Sequence, residues 1–204
     1  GTDTLYGGDG NDQLIVSAND NIYGDGGNDT FSWQVWSGGG NELHGGDGHD
    51  RLLLGSYRHQ VYPYNDRVTS GLEINLRDGY VTWIVDSGWE LPDLVTSMDG
   101  IEEIWGTIFD DTIYGDDNAN IIFAGEAKLS PINWDIRPTG ADIIFGYGGD
   151  DYIQGGDGDD FIAGGDGNDT IEDSGGNSTI FGGAGDDDIS AGFGIHYIEG
   201  NAGN

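Results

Sequence analysis

The chain has 204 residues, of which 40 are glycine and 38 acidic against only 6 lysines and arginines, for a formal net charge of −32. That charge excludes nucleic acid and anionic membrane surfaces as partners, because phosphate is repelled inside a Debye length. The absence of cysteine removes disulfide and thiolate-metal chemistry, and no apolar run approaches the ~20 residues of a membrane span, so no membrane insertion is expected. Hydrophobic residues still make up 35% of the chain. A core is therefore available, but carboxylate repulsion opposes compaction unless a counter-cation is supplied.

From the N-terminus the sequence repeats. Nonapeptides occur at 7–15 (GGDGNDQLI), 24–32 (GDGGNDTFS) and 45–53 (GGDGHDRLL), with a shorter unit ending in NDNIY and a fourth unit, WSGGGNELH, at 36–44. Their sixth positions are Asp12, Asp29, Asp50 and, in the fourth unit, Asn41; Asp3 and Asp20 fall in the same phase. This N-terminal block covers 1–54. Residues 55–110 carry no nonapeptide, only β-type alternation at 68–76 and 80–85 and then GIEEIWGTIFDDTIYG, so longer β-helical turns continuing the same stack are expected. A second repeat block, 111–204, opens on Asp111 and GDDNANIIF, where Asn120 is expected above Asp111. It is interrupted at 126–139 by a surface loop containing Pro131 and Pro138.

From Gly146 to Glu199 the units follow without a slip. The sixth position is Asp151, Asp160, Asp169, Ser178, Asp187 and His196, with Asp142 one step earlier; the eighth is isoleucine throughout. Glycines at positions one, two and four allow φ > 0 and gather carbonyl oxygens round one point. The aspartate adds a carboxylate. A site made of oxygen suits Ca²⁺ rather than zinc. Positions seven to nine form a short strand whose middle residue points inward. Two nonapeptides make one turn, which stacks aspartates 18 apart at ~4.8 Å, where two carboxylates repel by ~3–4 kcal/mol at an effective dielectric near 20. A cation between loops turns each repulsion into a bridge, so folding and metal binding are expected to be one event.

These units resemble the RTX, or hemolysin-type, calcium-binding repeat GGxGxDxUx. The resemblance implies an all-β parallel β-roll, or β-helix solenoid, with two short strands per 18-residue turn and calcium loops on both edges. It also implies several Ca²⁺ ions and export by type I secretion to the extracellular space. The chain begins and stops inside a repeat, so a fragment of a larger secreted bacterial protein is expected. Carried over residue by residue, the metal ligands are Asp3, Asp12, Asp20, Asp29, Asp50, Asp111, Asp142, Asp151, Asp160, Asp169 and Asp187. Pairs are expected between Asp151 and Asp169, Asp169 and Asp187, Asp142 and Asp160, Asp12 and Asp29, and Asp3 and Asp20. Ser178 and His196 depart from the pattern and should weaken their edge; Ser178→Asp is expected to restore a site.

No HExxH, GxSxG or phosphate loop is present, so a non-enzymatic folding, secretion or scaffold module is the first expectation. Trp33, Trp36, Tyr57, Tyr62, Tyr64, Trp83, Trp89, Trp105 and Trp134 cluster around the interruptions. They are expected to fill wide turns and cover the interior; the alternative is a carbohydrate-binding or adhesin face. A third reading makes the chain a β-helical polysaccharide lyase or epimerase, with Asp86 and Glu90 as its acids.

Overall fold

The computed structural model describes residues 2–17, 19–33, 40–54, 71–83, 95–107, 109–125 and 140–203. Every regular element among them is a strand. The first repeat block forms β1 (Thr4–Asp9), β2 (Gln13–Val16), β3 (Asn21–Gly26), β4 (Thr30–Trp33), β5 (Asn41–Asp47) and β6 (Arg51–Leu53). The middle of the chain forms β7 (Leu72–Asn75), β8 (Tyr80–Trp83), β9 (Val95–Asp99) and β10 (Glu103–Trp105). Then follow β11 (Thr112–Tyr114), β12 (Ile121–Phe123), β13 (Ile143–Gly148), β14 (Tyr152–Gln154) and β15 (Phe161–Asp166). The last are β16 (Thr170–Gly175), β17 (Thr179–Ala184), β18 (Asp188–Phe193) and β19 (Tyr197–Ala202).

Successive repeats alternate between two walls of a solenoid. One wall is an 11-stranded sheet in the order β1-β3-β5-β9-β8-β7-β11-β13-β15-β17-β19, the other an 8-stranded sheet in the order β18-β16-β14-β12-β10-β6-β4-β2. The eighth-position residues stack in register, Ile144 on Ile162 on Ile180 in one wall and Ile153 on Ile171 in the other. All five are 0% exposed and belong to one continuous core. Each such side chain contributes ~1.5–3 kcal/mol by leaving water. The period-two alternation thus turns one residue in nine into a core, and the fold is the parallel β-roll that the repeat implies.

The strands are longer than positions seven to nine. In the pairing of β13 with β15 the register extends to Tyr147↔Gly165 and Gly148↔Asp166, because identical loops stacked in register bond through their first positions as well. Of the glycines in the unit 164–172, Gly165 and Gly167 have φ of +126° and +141°, whereas Gly164 does not lie in that region. Position one is therefore kept bare for space and not for its backbone angle.

Two features of the middle region differ from the expected coil. β7 pairs antiparallel with β8, and β8 with β9, so the larger sheet crosses this region as a meander. The cause is a tight turn at 76–79: Asn75 Oδ1 accepts the Asp78 N–H at 2.7 Å, and Gly79 takes φ +72°, which reverses the chain. The stack nevertheless continues on both walls through Leu52↔Ile104 and Ile74↔Ile113. Of the aromatics around the interruptions only Trp105 has a described side chain, and it lies on β10. Trp105 stacks on Phe123 at 4.1 Å, Tyr6 on Tyr23 at 5.0 Å and Tyr114 on Phe145 at 5.5 Å along the outer faces, so ring faces engage rings on the neighbouring rung. Trp36, Tyr57, Tyr62, Tyr64, Trp89, Trp134, Asp86, Glu90 and the loop 126–139 lie outside the described residues, as do the side chains of Trp33 and Trp83.

Candidate metal edges of the roll

Each loop delivers its sixth residue to the foot of the next strand, so these residues form a column along each edge. One column precedes the strands of the larger sheet: Asp3, Asp20, Asn41, then Asp111, Asp142, Asp160, Ser178 and His196. The other precedes those of the smaller sheet: Asp12, Asp29, Asp50, Glu102, Asn120, Asp151, Asp169 and Asp187. Within a column the backbone N–H of one rung donates to the side chain of the next. Asp151 donates to Asp169 Oδ1 at 2.9 Å, Asp169 to Asp187 at 3.1 Å, Asp142 to Asp160 at 2.9 Å, Asp12 to Asp29 at 2.8 Å and Asp3 to Asp20 at 3.1 Å. Asp29 donates to Asp50 at 2.7 Å and Asp111 to Asp142 at 2.8 Å, the latter across the inserted loop.

This ladder occupies only Oδ1. The second carboxylate oxygen of Asp12, Asp29, Asp50, Asp151, Asp160, Asp169 and Asp187 is buried with no hydrogen-bond partner. What surrounds it is visible at the position-one glycines. A Cβ on Gly164 would stand 2.2 Å from Asp169 Oδ2 and 2.6 Å from the Gly182 carbonyl oxygen; on Gly146 it would stand 2.3 Å from Asp151 Oδ2 and 2.4 Å from the Gly164 carbonyl. The bare glycine opens a cradle in which a carboxylate oxygen of one turn meets a carbonyl oxygen of the next. Buried carboxylate oxygens without donors are strongly unfavourable unless a cation joins them. The oxygen donor set fits Ca²⁺, held by these carboxylates and loop carbonyls, and gives zinc no nitrogen or sulfur.

Electrostatics point the same way. Burial pushes Asp142 up to about 8 and Asp151 up to about 7, with neighbouring carboxylates adding to it and the N–H ladder opposing it. Burial likewise raises Asp111 and Asp160 to about 6. Asp50 and Asp169 move upward for the same reason. Without a cation the folded edges cannot keep all their carboxylates ionised at neutral pH.

The structure also places residues that the sequence pattern misplaced or passed over. Asn120 does not stack on Asp111; it lies on the opposite edge and donates its N–H to Asp151 Oδ1 at 2.8 Å, because nine residues carry the chain half a turn and not a whole one. Glu102 takes the sixth position where no nonapeptide is visible, and its Oε2 accepts the Asp50 N–H at 2.8 Å. Position five forms a second ladder of opposite polarity: Asn28 N–H donates back to Asn11 Oδ1, Asn168 to Asp150, and Asn177 to Asp159. Its signal was the run of Asn and Asp at that position. His49 donates its N–H to Asn28 Oδ1 and also sets its ring 3.3 Å from Glu103. Asp173 stands buried at position one of its loop.

A two-walled roll of mainly parallel strands whose edges hold columns of buried, unpartnered carboxylate oxygens beside loop carbonyls is a calcium-binding β-solenoid. Residues 17–32, 37–56, 96–127, 139–171 and 163–195 match the RTX calcium-binding nonapeptide repeat (4 copies). The chain belongs to that family, whose repeats bind calcium and are typical of secreted bacterial proteins. Among curated proteins none matches the chain.

Proposed function

We propose that this chain is a non-enzymatic module that folds when Ca²⁺ fills both edges, and that it serves as the folding, secretion or scaffold region of a type I-secreted extracellular protein. The observation that carries the reading is the buried Oδ2 atoms without donors, which at Asp12, Asp29, Asp50, Asp151, Asp169 and Asp187 stand beside a backbone carbonyl of the next turn. A chain exported through a narrow channel must be unfolded in transit, and a roll held open by its own carboxylates stays so until it meets calcium. Circular dichroism of metal-free protein at pH 8, followed by addition of Ca²⁺ or Mg²⁺, tests this. Disorder that only Ca²⁺ reverses is expected, since Mg²⁺ demands a smaller octahedral cage and keeps its water. A β spectrum that is complete before any metal is added would refute it.

A further inference from the structure

The edge that begins at Asp111 breaks its pattern at three positions that meet in space. Position six is Ser178 and then His196 in consecutive turns, and position one, glycine in most loops, is Asp173 in the earlier turn and Ala191 in the later. Elsewhere a Cβ at position one would enter the ion cradle, 2.2 Å from the carboxylate oxygen in the case of Gly164. Asp173 therefore brings a carboxylate into the cradle from position one, while the oxygen-only ligand of the following turn is exchanged for an imidazole.

The side chain of Asp173 is 0% exposed and that of His196 9%, and His196 Nδ1 lies 3.3 Å from Asp173 Oδ2. No aligned hydrogen bond reaches either carboxylate oxygen or either ring nitrogen, although the Ser178 hydroxyl and the Gly175 N–H lie beside the Asp173 carboxylate. The other described histidines behave differently. His44 bonds to Asp99 at 3.0 Å and His49 to Glu103 at 3.3 Å, on more exposed ground. The Asp173–His196 contact is close but not aligned as a hydrogen bond. Two donor atoms each ~2.0–2.1 Å from one tetrahedral ion stand about 3.3 Å apart, a separation the His49–Glu103 pair also has; burial is what sets the Asp173–His196 pair apart as two groups able to share a metal. A nitrogen and a carboxylate oxygen suit zinc-class ions, whereas Ca²⁺ selects oxygen alone.

We propose that the cradle between loops 173–178 and 191–196 is a site for a borderline divalent transition ion of the zinc class in place of a calcium position, with Asp173 and His196 as its two side-chain ligands, no third His, Cys, Asp or Glu among the described residues joining them, and water or loop carbonyls completing the shell. The site rests on the calcium-folded roll for its frame, so it is tested in protein already saturated with Ca²⁺. In a His44→Gln, His49→Gln, His59→Gln background, Zn²⁺ is titrated by calorimetry and Co²⁺ by visible absorption, with the β spectrum recorded first. One Zn²⁺ equivalent and a Co²⁺ ligand-field band are expected. Adding His196→Gln should remove both, Asp173→Asn should weaken them about tenfold or more, and the bound calcium count should stay the same. Absence of zinc uptake by the folded protein, or uptake that survives both substitutions, would reduce Asp173 and His196 to an ordinary ion pair and overturn the proposal. Loss of the β spectrum before zinc is added would instead refute the calcium-folding reading and remove the frame this site needs.

Discussion

Metal-free protein should gain structure as the pH falls from 8 towards 5. The driving groups are Asp142, raised by burial from an ordinary 3.8 to about 8, Asp151, raised to about 7, and Asp111 and Asp160, raised to about 6. Their folded-state values lie above their unfolded ones, so in this window the folded chain binds more protons than the unfolded chain. Stability is then present at low pH and is lost as the pH rises through the folded values. At ~1.4 kcal/mol per unit, Asp142 alone opposes folding by on the order of 5 kcal/mol at pH 8. Even half of the effect of all four is comparable with the ~5–15 kcal/mol that holds a domain together. Chelating-resin-treated protein followed by circular dichroism from pH 8 to pH 5 reads this directly, and the calcium midpoint should rise over the same range as protons compete for the carboxylates. Calorimetry at pH 6 in buffers of different ionisation heat should show proton release on calcium uptake. Metal-free structure that instead increases from pH 5 to pH 8, or calcium uptake at pH 6 without proton release, would refute the electrostatic account.

Asp169 has carboxylate neighbours on both sides, Asp151 and Asp187, whereas Asp12 begins its column. Asp169→Ala should remove about two calcium ions and Asp12→Ala about one, counted by calorimetry or in a crystal; equal losses would show that cradles are not shared between turns. Gly164→Ala keeps an ordinary backbone angle but sets a Cβ 2.2 Å from Asp169 Oδ2, so it should weaken calcium about tenfold or more while the spectrum in saturating calcium is kept. An unchanged calcium midpoint would place the ion elsewhere. Ser178→Asp, expected from the repeat alone to restore a site, should gain no calcium, because a regular Asp at position six would drive its Oδ2 against the Cβ of Asp173. The pair Asp173→Gly with Ser178→Asp should gain about one ion, and a gain in the single variant would refute the steric reasoning.

The period of nine by itself determines most of this protein. A glycine-rich loop followed by x-Ile-x every nine residues leaves one inward side chain per strand and one carboxylate per loop, two per turn. Stacking identical units then settles both the core of Ile144, Ile153, Ile162, Ile171 and Ile180 and the aspartate columns. Where the period lapses, the physical information passes to contacts between residues distant in sequence. The antiparallel return at 72–83 depends on the Asn75 turn and on which sheet edge is free to receive it. Glu102 occupies a metal-edge position only because β10 pairs with β6 and thereby places it next to Asp50. Asn120 joined the column of Asp151 because edge membership follows from half-turns of the coil and not from proximity in sequence. The meeting of Asp173 with His196 joins position one of one turn to position six of the next, a juxtaposition that exists only once the two loops are stacked; the repeat pattern showed two missing aspartates and could not show that a carboxylate had moved into the cradle from another position.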